Sequence, residues 1–299
     1  MKDGVIIIDK PCGMTSFDTV ARIRRLYNTR QVGHTGTLDP MATGVLVVMV
    51  GRTVKASEYL TLHDKSYEAT LRLGITTDTE DTTGKILTSS DSVPTLDEVK
   101  KVCKSFVGDI VQIPPMYSAL KKDGKKLCDL ARQGIEVERE GRMITVYSLD
   151  VTPTDRCDEF VLKVSCSKGT YIRTLCADIG KKLGCGGAMA SLRRTKSGNF
   201  GIEAAHTLEE LEAMSENERE GLLLDTESLF SDCKAIILPQ FYAKLAQSGC
   251  QIYQKKIGTS EPDGAFIRMC DVNGFFSLGQ VKEYPEGSAI KPIKKFRLE

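Results

Sequence analysis

The 299-residue sequence predicts an α+β protein, a mixed β-sheet flanked by helices and followed by a smaller β-rich unit. Two observations carry this. Strand-like runs at Val5–Asp9, Val45–Val50, Ser66–Leu73, Val146–Val151 and Phe160–Ser165 do not alternate strictly with helical segments, as a doubly wound parallel sheet would require. A change of composition near Cys233 then divides the chain into residues 1–232 and 233–299.

In chain order, Val5–Asp9 reads as a short buried strand ended by the turn Lys10-Pro11-Cys12-Gly13. Ser16 is placed to cap a helix, Phe17–Tyr27, on which Phe17, Val20, Ile23 and Tyr27 recur at helical spacing. A glycine-rich loop over 33–44 leads into Val45–Val50, a β-branched run suited to a central strand. Thr53–Leu60 is expected to be helical, and the polar, acidic stretch Thr76–Gly84 to be an exposed loop. Thr95 opens an amphipathic helix, Leu96–Phe106, closed by Gly108. Residues 113–142, rich in glycine and charge and carrying a double proline, read as an excursion from the core. Thr170–Leu183 is a helix with Gly184 as its C-cap. Beyond Cys233 the sequence predicts a helix near Gln240–Gly249, strands at Ala265–Val272 and Phe275–Lys282, and a basic tail.

Composition excludes several classes of function. The ten cysteines contain no C-x-x-C pair and the three histidines, His34, His63 and His206, are scattered, so neither a zinc site nor a disulfide framework is expected. Mostly buried free thiols in a reducing cytoplasm are expected instead. The longest early apolar run, Val5–Ile8, is far too short to cross a bilayer, and no membrane association is expected. The net charge of +1 hides an uneven distribution: residues 207–232 hold nine acids against one base, leaving the remainder near +9. Basic clusters at Arg22/Arg24/Arg25/Arg30, Lys121/Lys122/Lys125/Lys126, Lys181/Lys182, Arg193/Arg194/Lys196 and Lys291/Lys294/Lys295/Arg297 point to a polyanionic partner.

The segment most informative about chemistry is Gly33-His34-Thr35-Gly36-Thr37-Leu38-Asp39-Pro40-Met41-Ala42-Thr43-Gly44-Val45-Leu46. Its glycines allow positive φ, and it sets one carboxylate, Asp39, against a rigid proline just before a core strand. A side chain fixed there is placed to act as nucleophile or base; a purely structural turn uses the same residue types.

This segment resembles the catalytic motif of the TruB pseudouridine synthases. Lys10-Pro11-Cys12-Gly13-Met14-Thr15-Ser16, Ser66-Tyr67-Glu68-Ala69, Ile113-Pro114-Pro115-Met116-Tyr117-Ser118-Ala119, Lys168-Gly169-Thr170-Tyr171-Ile172-Arg173-Thr174-Leu175 and Leu192-Arg193-Arg194-Thr195 resemble further motifs of that family, in the same order. The resemblance covers about residues 1–200. It implies the pseudouridine synthase fold, with a largely antiparallel mixed sheet and a PUA-like C-terminal module over 233–299. It also implies isomerisation of uridine to pseudouridine at position 55, in the T-stem-loop of tRNA, with no cofactor, no metal and no obligatory protein partner.

The resemblance makes Asp39 the nucleophile, with attack at the sugar C1′ and at the base both open. A buried carboxylate needs a fixed cation, and Arg173 fills that place, since a close arginine lowers a carboxylate by roughly 1–3 in pKa. Tyr67 would stack on the uracil and could assist proton removal from C5. Tyr171 and Leu192 would line the nucleotide pocket, and His34 would hold the opened loop once the uridine is flipped out. Lys10 would contact substrate, and Lys121, Lys122, Lys125 and Lys126 would grip phosphates from the insertion at 113–142. A tRNA-binding or folding chaperone without chemistry is the alternative; intact Asp39, Tyr67 and Arg173 weigh against it as the sole role.

Overall fold

Nine strands form the larger sheet of the computed structural model, which describes residues 2–60, 64–122 and 124–297. Its spatial order is Gly4–Lys10, Thr43–Val50, Gly187–Ser197, Lys65–Leu73, Glu159–Cys166, Arg142–Pro153 and Gly108–Gln112. Neighbours on this path are antiparallel except Thr43–Val50 and Gly187–Ser197, which run parallel. Val32–Thr35 and Phe200–Gly201 pair alongside. The mixed, largely antiparallel sheet expected from the sequence is present.

The continuous apolar runs at the start of the chain have a direct cause: their strands are covered on both faces. Val5, Ile7, Val45, Val47 and Met49 face a cluster containing Phe200, Phe230, Leu278 and Phe296. Ile6, Ile8, Leu46 and Val48 face the helix Ser16–Leu26 through Val20 and Ile23, and the acidic segment through Leu208, Leu211 and Leu223. Farther along the sheet, Leu71, Leu162 and Val164 pack under Ile172, Leu175 and Ile179 of the helix Ile172–Leu183. That helix ends, as expected, at a left-handed Gly184. The helix Leu96–Lys104 is capped by Thr95, reciprocally with Glu98.

A second, five-stranded sheet follows in the order Lys234–Ile237, Phe266–Asp271, Gly274–Tyr284, Gly287–Lys295 and Ile252–Tyr253, with the helix Gln240–Gln247 against it. Between the paired strands Gly108–Gln112 and Arg142–Pro153, the insertion carries a two-stranded hairpin, Lys121–Lys122 with Lys125–Lys126, and a short helix, Leu127–Arg132, all off the main sheet.

Several expectations need correction. Thr15, not Ser16, caps the first helix, because Asp18 completes a capping box with it; the Ser16 hydroxyl is used elsewhere. Thr53–Leu60 is helical as expected, although its first part belongs to a 3₁₀ segment, Gly51–Ala56, and only Ser57–Leu60 is α. The acidic stretch near Thr76–Gly84 is not an exposed loop: Ile75–Thr77 pairs with Ile86–Ser89, and Thr77 and Asp81 are buried. The basic tail is an inner strand of the second sheet. All ten cysteines are free, but only half are buried. Among the described residues no helix is long and apolar enough to cross a membrane, and His63 lies outside those residues.

Candidate active site

The Asp39 loop lies between strands Val32–Thr35 and Thr43–Val50 and is fastened on both sides of the carboxylate. Leu38 N–H donates to Ser16 Oγ at 2.9 Å, and the Pro40 carbonyl accepts from Gly13 N–H at 2.8 Å and from Lys10 Nζ at 3.3 Å. Arg194 Nη2 donates to the Gly36 carbonyl at 3.0 Å. Gly44 closes the loop at φ +97°, where a Cβ would lie 2.2 Å from the Arg194 carbonyl oxygen. Only glycine fits that approach of the strands.

Arg173 projects from the first turn of Ile172–Leu183 and meets Asp39 with two donors, Nε to Oδ2 at 2.9 Å and Nη2 to Oδ1 at 3.3 Å. The same guanidinium donates to the Tyr117 carbonyl at 2.8 Å and the Thr79 carbonyl at 3.2 Å, and Asp81 lies 4.0 Å away. It therefore ties three distant segments together while only 6% exposed; the Asp39 side chain, 36% exposed, opens to a cavity. Burial pushes the Asp39 carboxyl above its ordinary value, Arg173 opposes this, and Asp81 adds to it. The lowering expected of Arg173 acts, but burial outweighs it.

The cavity, about 440 Å³, is walled by Asp39, Arg173, Leu192 and three tyrosines, Tyr67, Tyr117 and Tyr171. That size and mainly apolar wall suit a flat, partly polar ligand. Tyr67 stands on Lys65–Leu73 directly opposite Arg194. Tyr171 is fixed through its backbone, whose N–H donates to Gln112 Oε1 at 2.8 Å and whose carbonyl accepts from Gln112 Nε2 at 3.0 Å. Burial raises both phenols above their usual pKa. Lys65, also on the wall, is brought down to about 8, by burial first and then by Arg194.

Asp39, Tyr67, Tyr171, Arg173 and Leu192 are thus brought together. Lys10 is not at the cavity: it is fully buried and its ammonium bonds the carbonyls of Pro11, Met14 and Pro40. The substrate contact expected of it is replaced by a clamp beneath the Asp39 loop. His34 pairs with Val48 on the strand before that loop, away from the cavity, and burial lowers its pKa. Lys122 and Lys125 stand exposed on the insertion hairpin, Lys122 donating to the Glu138 carbonyl, while the side chains of Lys121 and Lys126 lie outside the described residues.

Sequence reasoning missed Lys65, Asp81 and the interior place of Arg194. Arg193 and Arg194 belong to one of the basic clusters that point to a polyanionic partner, yet Arg193 pairs with Asp9 at 2.6 Å and Arg194 is 1% exposed. The period-2 alternation of strand Gly187–Ser197 carries the only sequence signal that one of the two points inward.

The model of the TruB family pseudouridylate synthase N-terminal domain matches residues 24–172, and that of the tRNA pseudouridylate synthase B C-terminal domain matches residues 173–239. The tRNA pseudouridine synthase B of Clostridium tetani is 43% identical over 279 residues, 93% of this chain and 95% of the relative. That of Alkaliphilus oremlandii is 43% identical over 298 residues, 99% of this chain and 98% of the relative. Among solved structures, a chain of a Cbf5-Nop10-Gar1 complex is 26% identical with a TM-score of 0.76, covering 98% of this chain and 85% of that one. The fold alone is shared with an H/ACA RNP bound to a substrate RNA, at 24% identity and a TM-score of 0.74, over 99% of this chain and 85% of that one. The chain belongs to the TruB family of pseudouridine synthases.

Proposed function

We propose that this protein converts uridine 55 in the T-stem-loop of tRNA to pseudouridine, with Asp39 as nucleophile. The observation that carries the reading is the Asp39–Arg173 pair, 2.9 and 3.3 Å, at the floor of a cavity walled by three tyrosines. The names of the relatives, tRNA pseudouridine synthase B, supply the substrate class.

The reaction breaks the N1–C1′ bond, turns the freed uracil and joins C5 to C1′, conserving oxidation state and needing no group donor. Each step asks something of this chain. The uridine must leave the stacked loop, at a cost of a few kcal/mol, and flat aromatic walls return about 1–3 kcal/mol per stacked base. Tyr67, buried on its strand at the cavity wall, supplies such a surface. The nucleophile must be ionised where burial favours its neutral form, and the bidentate arginine supplies the opposing charge. Arg173 also holds the carboxylate in one orientation, so little reorganisation is needed on attack.

In this reading residues 1–232 form the catalytic domain, 113–142 a gripping insertion, and 233–299 a PUA-like RNA-binding module. Lys122 and Lys125 contact phosphates, His34 supports the opened loop, and no protein partner is required. The test is tritium release from an unmodified tRNA transcript labelled at uridine C5. The expected result is one labelled site exchanged per tRNA; binding without release would leave only the chaperone role.

A further inference from the structure

Arg194 is a costly residue to bury. Its side chain is among the largest that are fully buried in the described structure, yet no carboxylate pairs with it among the described residues. Its Nε donates to the Val45 carbonyl at 2.7 Å and its Nη2 to the Gly36 carbonyl at 3.0 Å. It also stands directly opposite Tyr67 in the sheet register, and its charge favours the ionised form of that phenol. Lys65 and His34 stand nearby and add positive charge or none, so no group among the described residues neutralises the guanidinium. An uncompensated buried charge costs several kcal/mol, and a fold that keeps one has placed it where negative charge will form.

Sheet register fixes this placement. Arg194 lies between two strands, paired with Tyr67 on one side and with Gly44 of the nucleophile loop on the other. One guanidinium thus touches the Asp39 loop and the Tyr67 phenol together.

We propose that Arg194 is the positioning residue for Tyr67, stabilising the negative charge its oxygen carries between giving its proton to uracil N1 and taking one from C5. The proton balance is closed. Cleavage of the N1–C1′ bond leaves its electron pair on N1, which takes the Tyr67 hydroxyl proton and leaves a phenolate beside Arg194. Rotation of the uracil brings C5 to the place N1 has left. When C5 bonds to C1′, the C5 proton returns to the phenolate, and Tyr67 is a phenol again. One oxygen serves both transfers because N1 and C5 exchange places.

This rests on the reading of Tyr67 as a catalytic residue, and the experiment separates the two. Arg194→Lys, Arg194→Met and Tyr67→Phe are compared with wild type on unmodified tRNA bearing protium or deuterium at uridine C5, with thermal unfolding as the check on folding. Arg194→Met is expected to lower kcat by about 100-fold, as loss of one donor to a developing oxyanion does, with KM within about threefold. A deuterium effect larger than that of wild type accompanies the loss. Arg194→Lys, which keeps the charge, recovers part of kcat; should Arg194→Met not fold, Arg194→Lys carries the test through its enlarged isotope effect. A rise in KM with kcat unchanged, or a lower kcat with the wild-type isotope effect, would overturn the proposal and leave Arg194 a structural clamp. Wild-type kcat in Tyr67→Phe would instead remove Tyr67 from the chemistry.

Discussion

Replacement of Arg173 by lysine probes the site where geometry and charge are hardest to separate. The guanidinium makes four polar contacts: an ion pair with Asp39 Oδ2 at 2.9 Å and hydrogen bonds to Asp39 Oδ1 at 3.3 Å, Tyr117 O at 2.8 Å and Thr79 O at 3.2 Å. An ammonium places its donors at one point on a stem of different reach and cannot serve acceptors spread over three segments. At least two of the four are lost. Each hydrogen bond to a charged group is worth about 1.5–3 kcal/mol, and roughly half of that survives where water in the open cavity replaces the donor. Two losses therefore amount to about 1.5–3 kcal/mol of fixed carboxylate geometry, or about 10- to 150-fold in rate at about 1.4 kcal/mol per tenfold. The assay is single-turnover tritium release with enzyme in excess, alongside tRNA affinity and a thermal melt. Affinity is expected to stay within a few-fold. A rate within about threefold of wild type would refute the assignment of Arg173 as the anchor of Asp39.

Three further outcomes follow from the same geometry. In the proposed reading Asp39 works ionised, and burial raises its pKa, so kcat/KM is expected to decline as pH falls through a value above the ordinary carboxylate range; a rate that stays flat down into that range contradicts this. Lys10→Met removes three bonds to carbonyls and should cost about 1–3 kcal/mol of stability, read by denaturant unfolding. Its tRNA binding should keep the wild-type salt dependence, whereas a slope reduced by about one would return Lys10 to the RNA contacts. Replacing residues 120–141 by a short glycine linker should raise KM for tRNA and flatten the salt dependence of binding, while an unchanged slope would place the phosphate contacts elsewhere.

The fold was legible where a single local rule decides. Buried strands announced themselves by continuous β-branched runs, and the last turn of Ile172–Leu183 by Gly184. Failures came where tertiary contacts reassigned a residue. Ser16 and Thr15 are equal candidates as caps by type, and Asp18 decides for Thr15, freeing Ser16 to hold Leu38. Asp81 and Thr79 sit in a stretch whose polarity reads as solvent-facing, yet they turn inward toward Arg173. Lys10 and Arg194 are charged residues in basic or turn-like contexts, and nothing local says that carbonyls and a phenol wait to receive them. Of the candidate site, the cavity's acid, arginine and tyrosines were readable through motif resemblance; the cations that brace it were not, because their roles exist only in the sheet register.

The central claim is that Asp39 is the nucleophile that makes one pseudouridine in the tRNA T-loop. It is tested most directly by incubating an unmodified tRNA transcript with wild type and with Asp39→Asn, then mapping pseudouridine by carbodiimide labelling and primer extension. The account predicts a single new stop at position 55 with wild type, and none with Asp39→Asn although that variant still binds the tRNA within a few-fold. A stop at position 55 with Asp39→Asn, or tight wild-type binding with no stop anywhere, would contradict it.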